Sequence, residues 1–178
     1  MEPRVIELSR GKIVLLILIS VVFLAVGAWM LTLSDAQLEG SQRMMGPTLL
    51  RIVAGAAVIL GAICLVAGVV KLRDRRPGLI LSAEGITDNS SGVSAGLIPW
   101  ADVTGFSIFQ HQKTRMLVVL VVDPEKYILR GNAVQRLLHR ANTGMVGSPI
   151  SIAATTLKID FDELKREVET WHSRHRAS

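Results

Sequence analysis

The stretch 52–70 constrains this chain more than any other part of it. Its nineteen residues include no charged or strongly polar side chain, and an α-helix of that length spans about 28 Å, close to the hydrocarbon thickness of a bilayer. Such a helix is stable in lipid because its interior backbone N–H and C=O groups bond within the segment. A soluble protein would need a large core around it, and 178 residues are too few to supply one. The stretch therefore predicts a transmembrane helix at about residues 50–72.

A second apolar block precedes it. Residues 13–33 are interrupted by only two hydroxyl side chains, Ser20 and Thr32, and they predict a first transmembrane helix. The alternative is a cleaved secretory signal, because small residues at 26–28 resemble a cleavage site. The apolar run continues past that point and is long for a signal, so we favour a retained helix. Residues 1–76 are thus expected to form a transmembrane hairpin integral to a lipid bilayer.

The charge is unevenly divided. Residues 1–78 carry nine Lys/Arg and five Asp/Glu, whereas residues 79–178 carry eleven and ten. A nearly neutral C-terminal half removes the electrostatic argument for nucleic-acid binding. The single cysteine, Cys64, lies in an apolar block, so the sequence predicts no disulfide framework and no cysteine metal cluster.

Basic residues flank the predicted hairpin on its outer sides. Arg73, Arg75 and Arg76 follow the second helix, and the first twelve residues are also basic, while the connection at 34–50 is nearly neutral. The positive-inside rule then predicts that both termini are cytoplasmic. These three arginines are also candidates for contact with anionic lipid, although orienting the helix is a sufficient role for them.

Small residues on the second helix indicate a packing face. They are Ala57, Gly61, Cys64 and Gly68. Their spacing allows another helix to approach closely. We expect that helix to be the first one, through Ser20 and Gly27, with a separate protein as the alternative. Neither apolar block carries an ionisable residue, which argues against an ion channel or pump.

Residues 77–178 read as one soluble domain made of short strands and turns. Strands are expected at 79–82, 86–88, 97–100, 103–109, 115–122 and 147–152. Their regular spacing predicts an antiparallel sandwich or a partly closed barrel. The strand at 116–122 is apolar at every position, so both of its faces should be buried.

Two helices interrupt this pattern. Residues 132–142 form an amphipathic helix, with Gly144 as its expected stop and with an apolar stripe of Val134, Leu137, Leu138 and Ala141. We expect this helix, or else a partner surface, to cover one face of the apolar strand at 116–122, while the interior of the barrel covers the other face. A C-terminal helix should begin at Asp160, with Glu163 completing a capping box. Its apolar stripe consists of Phe161, Leu164, Val168 and Trp171.

The motifs of the chain resemble a known architecture. They are PGLILSAEGITDNSSG, LIPWADVTGF, VVDPEKYI, GSPISI and LKIDFDEL. In this order, after two apolar helices, the chain is similar to a family of bacterial two-helix membrane proteins with a C-terminal pleckstrin-homology-like (PH-like) domain. The resemblance implies an α+β fold in which a transmembrane hairpin precedes a PH-like antiparallel barrel or sandwich, with an inserted helix and a capping C-terminal helix. It also implies the bacterial inner membrane, and it carries over no activity and no site residues.

No catalytic or metal-binding constellation is recognisable. The four histidines, His111, His139, His172 and His175, are scattered, and the last two read as part of a fraying helix end. No serine lies in a nucleophile elbow or a phosphate loop. We therefore expect no catalytic residue, no metal and no cofactor.

The function that this favours is a non-enzymatic, membrane-anchored module that binds a protein partner at the cytoplasmic face. One alternative is a reader of anionic lipid that uses Arg130, Arg136 and Arg140. Another is an accessory subunit of a larger membrane complex, held through the small-residue face. The sequence specifies neither the partner nor the oligomeric state.

Overall fold

The computed structural model describes residues 2–34, 46–91, 94–112 and 114–176. The chain divides into two compact units. One is Arg10–Asp74, and the other combines Met1–Ser9 with Arg75–Ser178. The expected connection at 34–50 lies mostly outside the described residues.

The first unit is an antiparallel pair of helices. Helix α1 spans Arg10–Thr32 and helix α2 spans Pro47–Arg73, each a few residues longer at its start than expected. Both are long and apolar enough to cross a membrane, and only 17% and 11% of their most apolar windows are buried. Their outward sides therefore expose large apolar side chains, including Leu15, Phe23 and Ile59. This exposure differs from that of a helix in a soluble core, which would be covered on all sides.

Small side chains bring α1 and α2 close together. Buried residues recur every seven positions, at Ile13, Ser20 and Gly27 on α1 and at Ala54 and Gly61 on α2, and Leu50 near the start of α2 is buried as well. This spacing is typical of a straight seam between two helices. A Cβ added at Gly61 would lie 3.0 Å from Leu24 Cγ and 3.3 Å from the Ser20 carbonyl oxygen.

The predicted packing face of α2 is only partly turned towards α1. A Cβ at Gly68 would lie 2.7 Å from Ile17 Cγ1, so this residue also borders α1. Ala57 is half-buried and Cys64 is exposed. The seam follows the seven-residue spacing of Ala54, Gly61 and Gly68, and the side chain of Cys64 lies off it.

Substitution of leucine for Gly61 is expected to force α1 and α2 apart, because an added Cβ already has no free space. Overpacking of this kind costs about 1–3 kcal/mol. Gly55→Leu is the matched control, since a Cβ at Gly55 meets nothing within 4 Å. Thermal denaturation in detergent should show a lower midpoint for Gly61→Leu than for Gly55→Leu. Equal midpoints would mean that this seam does not hold the pair together.

The second unit has α+β architecture with two antiparallel sheets, as the sequence predicted in outline. The described strands form a four-stranded sheet of order β1-β2-β3-β4 and a three-stranded sheet of order β5-β6-β7, and not one closed barrel. The strands are β1 Arg4–Ile6, β2 Leu79–Leu81, β3 Gly85–Asp88, β4 Gly96–Pro99, β5 Val103–His111, β6 Thr114–Val121 and β7 Ile150–Ala153. The helices are α3 Pro124–Ile128, α4 Ala133–Val146 and α5 Phe161–Arg176.

Strand β1 was not expected. It precedes both apolar helices in the chain, yet it pairs with β2, which follows them, in the register Arg4↔Leu81, Val5↔Ile80 and Ile6↔Leu79. The first nine residues therefore belong to the same compact unit as residues from Arg75 onwards. This differs from the expected division at residues 76 and 77. The α1–α2 hairpin is inserted into the domain between its first two strands.

The residues after β1 also join the two sheets. Leu8 forms a bridge with Leu157. The Ser9 N–H donates to the Thr156 carbonyl over 2.7 Å, and the Lys158 N–H donates to the Glu7 carbonyl over 2.9 Å. Leu8 and Leu157 are both buried, at 8% and 0% exposure, so this crossing is part of the core.

The C-terminal helix α5 covers the core as predicted. All four residues of its apolar stripe are buried, and Asp160 Oδ1 accepts a hydrogen bond from the Glu163 N–H over 2.8 Å at the start of the helix. The expected doubly buried strand is confirmed for residues 117–119 of β6, but Val122, just beyond the strand, is exposed. Helix α3 follows β6 and is capped by Asp123, whose side chain accepts a hydrogen bond from the Lys126 N–H.

Candidate interaction surface on helix α4

Helix α4 is longer than the sequence indicated, and its ends are well defined. Asn132 and Gln135 form a reciprocal capping box at its start, which satisfies N–H groups that would otherwise lack partners. The helix continues through Gly144, the expected stop, and ends at Gly147, whose φ of 81° lies in the left-handed region that favours glycine.

The side of α4 that packs against its own domain is polar. His139 is 2% exposed, and its Nδ1 lies 3.0 Å from the Pro149 carbonyl oxygen. Asn142 Nδ2 donates to the Ser148 carbonyl over 3.1 Å and to Ser151 Oγ over 3.2 Å. Because Ser151 is the register partner of Val118, α4 lies over the outer face of β6 and β7. Hydrogen bonds thus hold this helix in place.

The opposite side of α4 is apolar and faces outwards. Val134, Leu137 and Met145 are 65%, 68% and 66% exposed. Leu138 and Ala141, between them on the same side, are also exposed. We call these five residues the α4 apolar face. The helix covers the apolar strand as expected, but it does so with its polar side, so the apolar stripe identified in the sequence remains exposed.

The segment of the sequence that contains α4 carries charge of one sign. From residue 126 to residue 159 the chain contains five Lys/Arg and no Asp/Glu. Arg136 and Arg140 are exposed, and, being four residues apart, they are neighbours on the exposed polar side of α4. The near-neutrality of the whole domain concealed this segregation, although a charge count over shorter windows of the sequence would have revealed it.

The third predicted lipid-contacting arginine has a structural role. Arg130 Nη1 donates to the Ala95 and Leu97 carbonyls over 3.0 and 2.8 Å, and its guanidinium lies 4.3 Å from the Tyr127 ring centroid. It therefore ties the α3–α4 connection to β4. The arginines predicted beside the membrane helices, Arg73, Arg75 and Arg76, are all exposed.

A small polar cluster supports this connection from the other side. The buried Tyr127 hydroxyl donates to Asp102 Oδ2 over 2.6 Å, and Lys126 Nζ bonds the same oxygen. The bond from Lys126, and then that from Tyr127, hold the pKa of Asp102 below its usual range. Burial, together with the bond to Asp102, raises the pKa of Tyr127.

Tyr127→Phe is expected to lower the free energy of unfolding by about 1 kcal/mol at neutral pH, because a hydrogen bond to a carboxylate is lost. Because the pKa of Asp102 is lowered in the folded state, its carboxylate stabilises the fold above the unfolded-state pKa of about 3.9. This stabilisation is lost as the pH falls through the lower, folded-state pKa. The difference between wild type and variant should therefore shrink in acid. Denaturant titrations at pH 7 and pH 3 test this, and an equal difference at both would contradict it.

A cleft of about 350 Å³ adjoins the α4 apolar face. It lies beside β7 and the segment around Ser90, and the described residues that line it are apolar or carry neutral hydroxyl and amide groups, with no charged side chain among them. Leu138, Ala141 and Met145 belong to both the cleft and the apolar face. The exposed apolar surface is thus continuous from the helix into the cleft.

The C-terminal histidines do not form a fraying end. His172 is buried and packs edge-on against Phe106, with 5.1 Å between the ring centroids. His175 stacks between Trp100 and Trp171, at centroid distances of 5.9 and 5.5 Å. Trp100 is a core residue, and its Nε1 donates to the Ser82 carbonyl. These residues anchor α5.

Within the described residues, no three His, Cys, Asp or Glu side chains are placed to hold a metal ion. Comparisons with models of known families, with curated proteins and with solved structures found no match to this chain.

Proposed function

We propose that this protein is a non-enzymatic interaction module anchored in the inner membrane of a bacterium. In this proposal α1 and α2 span the bilayer, and the domain at the cytoplasmic face is PH-like. It presents the α4 apolar face, with the adjoining cleft, to a binding partner. The observation that carries the proposal is the reversed polarity of α4, whose polar side packs inwards while Val134, Leu137 and Met145 remain exposed.

The strand pairing supports the topology. Strand β1 lies before α1 in the chain and pairs with β2 after α2. If both helices cross a bilayer, this pairing requires the two outer ends of the hairpin to emerge on the same side. Cleavage of α1 as a secretory signal would also remove β1, because β1 precedes α1 in the chain. The basic flanks of the hairpin then favour the cytoplasmic side.

The order of the elements supports a PH-like domain. A four-stranded antiparallel sheet is followed by a three-stranded one and by a C-terminal helix within the described residues, which agrees with the resemblance of the motifs. The accessory-subunit alternative has less support, because Gly61 and Gly68 border α1 of the same chain.

Site-specific photo-crosslinking in cells tests the proposed function. A photoreactive amino acid at Leu137 should form an adduct with a protein or a lipid, and Met145→Asp in the same face should abolish it. The matched control is Thr170 on α5, which is exposed and lies on a helix whose apolar stripe is buried. The absence of any adduct at Leu137, or an equal adduct at Thr170, would contradict the proposal.

A further inference from the structure

We infer that the partner of the α4 apolar face is the surface of an anionic bilayer, with α4 lying in the headgroup region. The inference rests on the proposed function, because it names the occupant of the same face. In this arrangement the domain binds the membrane in which its own hairpin is anchored.

The chemistry of α4 fits a membrane surface. Helices that lie in an interface combine an exposed apolar side with a polar side rich in Lys and Arg. Leu137 is 68% exposed, and Arg136 and Arg140 are exposed on the polar side of the same helix. The polar residues His139 and Asn142 are bonded to the domain itself, so contact with lipid would bury no unsatisfied side chain of theirs.

The positive charge of the segment that contains α4 excludes a second copy of this chain as the best occupant of the α4 apolar face. A symmetric pair of α4 helices would bring two segments of the same positive charge together. With no acidic residue between positions 126 and 159, the surrounding segment offers no compensation, and like charges in close contact cost free energy. An anionic surface is complementary instead.

The covalent attachment favours lipid over an acidic protein. The chain leaves the domain at Ser9 to enter α1 and returns from α2 at Asp74. A bilayer that holds α1 and α2 is therefore always within reach at high effective concentration. Each arginine near an anionic surface adds roughly a fivefold preference for the bound state, and a separate acidic protein lacks the effective concentration that the anchor provides.

Depth-dependent fluorescence quenching in nanodiscs tests this inference on the full chain. After Cys64→Ser, a fluorophore is attached at Leu137→Cys or, as the control, at Thr170→Cys. The lipids carry brominated acyl chains, which quench a nearby fluorophore. We expect quenching at position 137 in phosphatidylglycerol but not in phosphatidylcholine, and little quenching at position 170. The double variant Arg136→Glu, Arg140→Glu should lower the bound-to-free ratio at least tenfold.

The outcomes separate the inference from the proposed function. Unquenched fluorescence at position 137 in phosphatidylglycerol, together with a protein adduct from Leu137 in cells, would overturn the lipid surface and retain an interaction face. If position 137 showed neither quenching in phosphatidylglycerol nor an adduct in cells, both the lipid surface and the interaction face would be overturned. Equal quenching at positions 137 and 170, or in both lipids, would also overturn the inference. Because Arg136 and Arg140 are exposed, an unchanged thermal midpoint should show that the double variant is folded.

Discussion

Deletion of residues 2–9 is expected to unfold the soluble domain, although these residues lie on the far side of two apolar helices in the chain. The deletion removes β1 and the buried side chains of Ile6 and Leu8. Burial of two aliphatic side chains contributes roughly 3–6 kcal/mol, and a domain of this size has only about 5–15 kcal/mol in total. The loss is therefore comparable with the whole free energy of unfolding.

The matched comparison is between two soluble proteins. One contains residues 75–178 alone, and the other joins residues 1–9 to residue 75 through a flexible linker of about eight Gly/Ser residues in place of the hairpin. The linked protein should show a cooperative thermal transition, and the fragment should not. In the full chain, Ile6→Ala should destabilise the domain, whereas Val5→Ala, on the exposed side of the same strand, should have little effect. A fragment 75–178 that unfolds cooperatively at the same midpoint as the linked protein would contradict this prediction.

Gly85→Ala is expected to be the most damaging single methyl addition in the four-stranded sheet. Gly85 has a φ of +153°, and an added Cβ would lie 2.1 Å from the Ile98 carbonyl oxygen. No side-chain movement relieves a contact with backbone, so the end of the β3–β4 pair must separate. Trp100, which donates to the Ser82 carbonyl beside this turn, would be displaced with it. We expect a loss of roughly 3–5 kcal/mol.

The same strand pair provides the control. Gly96 also has a positive φ, of +69°, but a Cβ there meets nothing within 4 Å. Gly96→Ala should therefore cost only about 1–2 kcal/mol, the strain of a left-handed residue. Denaturant titration followed by tryptophan fluorescence measures both losses. If the two variants lost the same free energy, strain alone would account for Gly85 and the contact with Ile98 would not matter.

The elements that could be predicted are those whose pattern is complete within a short segment. The stripe of α5 repeats with the helical period, and an amphipathic helix at the end of a chain has one apolar side to bury. Its four residues were identified correctly for that reason. The apolar helices α1 and α2 were equally evident, because length and composition specify them.

The elements that were missed depend on distant partners. Strand β1 has three residues, too few for a visible alternation, and its partner Ile80 lies 75 positions from Val5. The periodicity of α4 identified its two sides but not which one faces inwards. That choice depends on two carbonyl groups that precede β7. The Ser148 carbonyl accepts a hydrogen bond from Asn142, and the Pro149 carbonyl faces His139, only once β7 is in place.

The same limit applies to the candidate surface. Arg130, Arg136 and Arg140 look alike in sequence, but Arg130 is held by the Ala95 and Leu97 carbonyls, while the other two are exposed on α4. A charge reversal at Arg130 would therefore test the stability of the domain and not its binding.

The α1–α2 hairpin is inserted between two paired strands of one domain. The most direct test of this insertion is a disulfide between Val5→Cys and Ile80→Cys, in a Cys64→Ser background and in intact membranes. Antiparallel partners have Cα atoms about 4.5–5.5 Å apart, within the range of a disulfide. We predict that oxidation links this pair and changes the mobility of the chain on a non-reducing gel. Val5→Cys with Thr87→Cys, one strand further away, should stay unlinked. If the membrane-inserted chain with cysteines at positions 5 and 80 formed no disulfide, the inserted hairpin would be contradicted.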